Sequence, residues 1–128
     1  MERMCFSRPW TRKMICDTAA NECCVFLVAI AAGCVVGYGS ADLVAGTAYF
    51  NNVAVGSEYR RHGVGEALVQ ELCERARRLA CTEATLEVRE QNLPAVALYK
   101  KCGFVPVGRR PGYYSEPPDD ALIMTRVL

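Results

Sequence analysis

The chain opens its regular patterning with an uninterrupted apolar run from Cys23 to Ile30, whose length and lack of charge predict a strand buried on both faces. Ala31-Ala32-Gly33 reads as a turn, Cys34 to Leu43 as the returning strand, Val44-Ala45-Gly46 as a second turn and Thr47 to Val55 as the next strand. From about Gly63 to Ala80 the period changes. Val64, Leu68, Leu72, Ala76 and Leu79 recur at helical spacing, widened by Val69, Cys73 and Ala80, and predict a long amphipathic helix. Glu71/Arg75 and Glu74/Arg78 are i,i+4 pairs on its solvent face. Ala84 to Arg89 alternates as a strand, with Leu86 and Val88 on one face and Thr85, Glu87 and Arg89 on the other. Asn92 caps a second helix with Pro94 in its first turn. Ala95, Leu98, Tyr99 and Cys102 form one face of that helix, and Gly103 fits just past its end. Phe104 to Arg109 is a strand, Arg110 to Pro118 a Pro/Gly-rich loop and Ala121 to Val127 the closing strand. Upstream of all this, Pro9 ends or offsets one short helix, and Thr11 caps a second running to about Thr18.

At 128 residues the chain has room for one domain, 1–128, and no linker divides it. The formal net charge of +1 argues against a charge-driven nucleic-acid binder, and no basic stretch is interleaved with aromatics. Eight cysteines contain no Cys-x-x-Cys, and the single histidine, His62, stands in a glycine turn. Zinc spacing is therefore absent, and the cysteines read as reduced, small core hydrophobes. Residues 1–13 lack the character of a signal sequence, and the run from Cys23 to Ala32 is too short to span a bilayer. These features predict a cytoplasmic protein with neither metal nor membrane partner.

The chemistry concentrates where the third strand of the meander meets the long helix, at Val53-Ala54-Val55-Gly56-Ser57-Glu58-Tyr59-Arg60-Arg61-His62-Gly63-Val64-Gly65-Glu66. A strand–turn–helix junction leaves several backbone N–H groups at the helix entry, and their partial charge suits a phosphate or pyrophosphate. Gly63 and Gly65 carry no Cβ to hold a ligand off the backbone, and Arg60, Arg61 and His62 add cationic side chains. The spacing is neither a P-loop nor a dinucleotide fingerprint, and taken alone it also fits an ordinary glycine-softened turn. Glu87 in mid-strand likewise has two readings. It is either a half-exposed carboxylate in water or paired with an arginine, or a general base lining a cleft.

The order of this junction, then Leu86-Glu87-Val88-Arg89, then Asn92-x-x-Ala95-x-x-Leu98-Tyr99-x-x-x-Gly103-Phe104, resembles the GNAT superfamily of acetyl-CoA-dependent N-acetyltransferases. Within it the chain looks most like the RimI-type enzymes, which acetylate the N-terminal amine of a ribosomal protein. Arg110-x-x-Tyr113-Tyr114 and Asp120-Ala121-x-x-Met124 are more RimI-like than generic, and the likeness runs from about Cys5 to Met124. The resemblance implies an α/β domain with a mixed, mostly antiparallel sheet and helices on both faces. It implies acetyl-CoA as cosubstrate, held by the backbone of Val53, Ala54 and Val55, by the turn from Arg60, Arg61 and His62 through Gly63, Val64, Gly65 and Glu66, and by Asn92. Glu87 becomes the general base, a backbone N–H among Val53 to Val55 the oxyanion donor, and Tyr99 the general acid for the CoA thiolate. On periodicity alone Tyr99 is equally a core aromatic. Trp10, Tyr113 and Tyr114 would border the acceptor peptide, although Phe6 and Trp10 also fit core packing.

Acceptors other than a protein N-terminus stay open: a lysine side chain or a small amine, or no transfer at all in an inactive CoA-binding module. GNAT chains begin with a strand and part of a helix before the Cys5-Phe6…Pro9-Trp10 segment, and here Met1 stands only four residues before Cys5. Either the start is misassigned or the first strand is missing. Strand 23–30 would then be an open edge able to pair with a second copy, giving a homodimer.

Overall fold

The computed structural model describes residues 15–17, 23–60 and 63–128. The expectations for Phe6, Trp10, Arg61 and His62 lie outside these residues. The described elements are β1 (Ile15–Asp17), β2 (Cys24–Ala31), β3 (Cys34–Val44), β4 (Thr47–Val55), a 3-10 turn (Ser57–Tyr59), α1 (Val64–Arg78), β5 (Glu83–Arg89), α2 (Leu93–Lys101), β6 (Val105–Ser115) and β7 (Pro118–Val127). The strands form one seven-stranded sheet in the order β1-β2-β3-β4-β5-β7-β6. Every pairing is antiparallel except β4 with β5.

Residues opposite one another in neighbouring strands share a face. One face is thus built from Val25, Leu27 and Ala29, then Gly37, Gly39 and Ala41, then Phe50, Val53 and Val55. Ala84, Leu86 and Met124 extend it across the second half of the sheet. Here α1 packs, with Val64 and Leu68 over Gly37 and Leu72 over Gly39. The predicted apolar stripe of α1 is the buried one, and the expected Glu71–Arg75 and Glu74–Arg78 pairs form on its outer side at 2.9 and 3.1 Å. Leu68 and Leu72 are fully buried, and removing either side chain down to Ala costs about 2–5 kcal/mol. α2 lies beside α1, with Leu98 against Gly65 and a Lys101–Glu66 ion pair at 3.3 Å tying the two helices. Both described helices occupy this face.

Four expectations are corrected. The run Cys23 to Ile30 buries one face only: Val25, Leu27, Ala29 and Ala31 are buried, whereas Cys24, Phe26, Val28 and Ile30 are partly exposed. Phe26 there stacks on Tyr38 at 5.9 Å. Ile15–Asp17, expected within a helix, forms β1. Its β-branched isoleucine pairs into the sheet, so a tertiary contact overrides the local helix signal from Thr11. β1 covers Leu27, Val28 and Ala29 of β2, so the outer edge of β2 is not wholly open as the dimer expectation required. Finally, the loop expected over Arg110 to Pro118 is mostly strand. β6 continues to Ser115, and only Glu116 and Pro117 turn the chain. Pro111 and Gly112, read as loop residues, fall at a shift of register between Arg110 and Tyr114. A bulge on an edge strand accepts both residue types without ending the strand.

Candidate active site

The parallel contact between β4 and β5 is brief. Thr47, Ala48 and Tyr49 pair with Glu83, Ala84 and Thr85, after which the strands part. β4 continues beside β3 to Val55, and β5 continues beside β7 to Arg89. A gap therefore opens between Phe50–Val55 on one side and Leu86–Arg89 on the other. The Gly56 N–H donates to Val36 O at 2.8 Å, which sets the phase of the β3–β4 ladder. By alternation the Ala54 N–H faces β3, while those of Val53 and Val55 face the gap. The Val55 carbonyl, on the same side, accepts from Arg60 Nε at 3.4 Å.

At one end of the gap stands the start of α1. Gly63 is its N-cap, with φ 83 and ψ 3, in the left-handed region that a side chain resists, and no side chain caps the helix. The first helical donor is the Ala67 N–H to Gly63 O at 3.0 Å, so the N–H groups of Val64, Gly65 and Glu66 have no intrahelical acceptor. A Cβ on Gly63 would meet nothing within 4 Å. This cradle fits a pyrophosphate. Gly65 also has a packing role. A Cβ there would lie 3.1 Å from Leu98 Cδ2 and 3.6 Å from Val55 Cγ2, so its smallness lets α1, α2 and β4 meet. Glu66 presents only its backbone to the cradle, since its carboxylate is turned to Lys101. Asn92 is the cap of α2, its Oδ1 accepting from the Ala95 N–H at 3.3 Å.

The two residues assigned to proton transfer approach the gap from opposite faces. Glu87 pairs with Ile123 in register and shares the helix-free face with Thr85 and Arg89. It forms an ion pair with Arg110, Nε to Oε2 2.5 Å, which is the arginine pairing the sequence left open. Arg89 beside it donates to Pro117 O at 2.7 Å and Glu116 O at 3.1 Å, and its guanidinium sits 4.3 Å from the centre of the Tyr114 ring. Tyr113 meets Tyr114 edge to face at 5.0 Å and is half exposed. Burial, then the Glu87 carboxylate, raises the Tyr114 hydroxyl pKa. The Asp119 and Asp120 carboxylates brace this end of the sheet, accepting from the N–H groups of Gln91 at 3.1 Å and Gly112 at 2.8 Å.

Tyr99 comes from the helix face. It packs edge to face on Phe104 at 5.8 Å, and Phe104 in turn on Phe50 at 5.5 Å. Its hydroxyl pKa is pushed up to about 12, first by burial, then by Cys102 and Tyr114. The phenol therefore keeps its proton throughout the neutral range. Tyr114 acts on the Tyr99 hydroxyl and is itself acted on by the Glu87 carboxylate. Burial pushes the Cys73 and Cys102 thiols up to about 11, which suits packing rather than nucleophilic attack.

Arg110 and Val96 escape a reading of the sequence. Val96, not Ala95 or Leu98, is the most buried side chain of α2. Arg110 reaches Glu87 only because β6 runs on as a strand. The alternation of β5, by contrast, is enough to set Arg89 beside Glu87.

A groove of about 670 Å³ also runs along α1 to the end of β7, lined by Gln70, Glu74, Arg77, Arg126 and Leu128. It touches the cradle at Gly63 and Glu66 but contains none of Val53, Val55, Glu87 or Tyr99. None of the groups expected to take part in the chemistry lines this groove. Among the described residues no helix is long and apolar enough to cross a membrane, and no group of three metal-ligating side chains stands together.

Residues 1–104 match the acetyltransferase (GNAT) family. A Bacillus subtilis protein named as a candidate ribosomal protein bS18-alanine N-acetyltransferase is 35% identical over 125 residues, 97% of this chain and 83% of the relative. The crystal structure of the ribosomal-protein-S18-alanine N-acetyltransferase from Escherichia coli superposes with a TM-score of 0.77 at 29% identity, covering 84% of this chain and 71% of that one. Ard1 from Thermoplasma volcanium gives 0.75 at 36% identity, over 80% and 70%.

Proposed function

The chain belongs to the GNAT family of acetyltransferases, and from that premise we propose that it moves an acetyl group from acetyl-CoA to the N-terminal α-amine of a protein, a ribosomal protein being the leading acceptor. The observation that carries this reading is the splay of β4 from β5, with Glu87 on one face and Tyr99 on the other. Acetyl-CoA supplies an activated thioester. The N–H groups of Val64, Gly65 and Glu66 would hold its pyrophosphate, and the open side of β4 its pantetheine arm, with Asn92 at the rim. An α-amine has a pKa of about 8 and arrives largely protonated. Glu87 takes that proton, directly or through water, so that the lone pair can attack the thioester carbon. The Val53 or Val55 N–H donates to the carbonyl oxygen as negative charge develops there. Tyr99 passes its proton to the departing sulfur, and the second proton that the nitrogen sheds as the amide forms restores the phenol. Transfer is direct, and no cysteine need carry the acetyl group.

The protein-N-terminus reading is favoured over a lysine or small-amine acceptor by the names of the relatives, and by the tyrosine pair beside Glu87, whose exposed Tyr113 offers a surface for a peptide. Trp10 joins the same proposal from outside the described residues. A cytoplasmic place of action goes with it. β1 pairs with Leu27, Val28 and Ala29 alone, and a homodimer through the rest of that edge stays within the proposal. Mass spectrometry of Ala-, Ser- and Met-initiated peptides and of a blocked peptide with an internal lysine, each incubated with acetyl-CoA, tests the reading. We expect acetyl on free N-termini, Ala-initiated ones foremost. Acetylation of the blocked lysine peptide alone contradicts it.

A further inference from the structure

Glu87, assigned above to the acceptor's proton, already holds a cation in this structure: Arg110 Nε, 2.5 Å from its Oε2. The two arginines on this face are held very differently. Arg89 is fixed by two backbone carbonyls and by the Tyr114 ring. Arg110 sits where β6 shifts register, its side chain is 59% exposed, and its guanidinium lies 5.8 Å from the centre of the Tyr113 ring. The first is a strut. The second can move.

We infer that Arg110 is a displaceable stand-in for the acceptor's ammonium group, occupying at Glu87 the place that the protonated α-amine takes when the peptide binds. The inference rests on the acetylation reading above. Both groups are monocations that can pair with the same carboxylate. Placing both against one oxygen sets like charges side by side, so the second cation arrives by exchange rather than addition. Exchange costs little, because an exposed ion pair is weak and the Tyr113 ring offers the released guanidinium a face to rest on. Arg110 thereby acts on acceptor binding and not on bond making. It also sorts reactant from product: a charged amine can displace it from Glu87, whereas the N-acetyl amide formed by transfer carries no charge and cannot. Arg110 returns to Glu87 as the product leaves.

Steady-state kinetics with an N-terminal peptide at saturating acetyl-CoA tests this through the split between KM and kcat. Arg110→Gln removes the competitor, so the acceptor KM should fall about 2- to 5-fold, the range an exposed pair is worth, without a fall in kcat. Arg110→Lys keeps a cation in reach and should hold KM near that of the wild type. Arg109→Gln deletes the same charge one residue away, where it pairs with Glu90, and should leave KM in place. A merely structural Arg110 would raise KM or lower kcat when lost, and an orienting one would lower kcat. An unchanged or higher KM in Arg110→Gln, or an equal fall in Arg109→Gln, overturns the inference while the wild type's activity keeps the acetylation reading. A wild type that acetylates no peptide N-terminus removes both.

Discussion

At the start of α1 the groups presented to a ligand are backbone groups: the N–H of Val64, Gly65 and Glu66, aimed by a left-handed Gly63, with Val53 and Val55 further along the gap. On the helix-free face they are side chains, Glu87, Arg89, Arg110, Tyr113 and Tyr114, held to one another by ion pairs and ring contacts. The two regions therefore fail in different ways. A backbone cradle depends on chain geometry and tolerates exchange of the side chains around it, Glu66 included, because that carboxylate faces Lys101. A side-chain constellation depends on charge, and a single isosteric replacement alters it. Tyr99 stands between them, buried among aromatics on the helix face and still within the influence of Tyr114.

The largest effect should come from the side-chain region. Glu87→Gln keeps shape and removes the base, so turnover should fall about 10²-fold or more while calorimetry finds acetyl-CoA bound as in the wild type. Tyr99→Phe should lower turnover about 10-fold, less so with a thioester whose leaving thiol is more acidic. Because the Tyr99 hydroxyl holds its proton up to about 12, the size of that loss should not vary between pH 7 and 9. Full activity in both variants would erase the distinction between the regions, leaving Glu87 as an ion-paired surface carboxylate and Tyr99 as core.

The cradle should answer to geometry instead. Gly63→Ala adds a methyl into open space but forces it into the left-handed region. Stability should drop by about 1 kcal/mol. The misaimed helix donors should weaken acetyl-CoA about 10-fold, with kcat at saturation little changed. Arg60→Ala, which removes only an exposed charge, should cost about 2-fold or less. If the arginine outweighs the glycine in calorimetry, the site is electrostatic and not a backbone cradle.

The same contrast explains what can be read from sequence. The cradle is legible because its parts are contiguous: an apolar strand, closely spaced glycines and a helical period follow one another from Val53 to Leu72, and each carries its own local signal. The alternation of β5 likewise puts Glu87 and Arg89 on one face by period alone. The pairing of Glu87 with Arg110 is not legible, because it depends on β6 continuing through Pro111 and Gly112 as a bulged edge strand. Those two residues signal a loop on every local criterion. β1 misleads for a related reason, since three residues beneath a helix cap become strand only once β2 is there to pair with. The purpose of Gly65 also needs three dimensions: the Leu98 and Val55 side chains that crowd it come from other elements.

The central claim is that the gap between β4 and β5 is where the two substrates meet, with Glu87 and Tyr99 on opposite sides of the reacting atoms. A crystal structure with a CoA–peptide conjugate bound tests it most directly. The account predicts the pantetheine arm between Val53–Val55 and α2, Glu87 within hydrogen-bond reach of the peptide nitrogen, and the Tyr99 hydroxyl at the sulfur. A conjugate seated instead in the groove of Gln70, Glu74 and Arg126, with Tyr99 still buried against Phe104 and remote from sulfur, would contradict it.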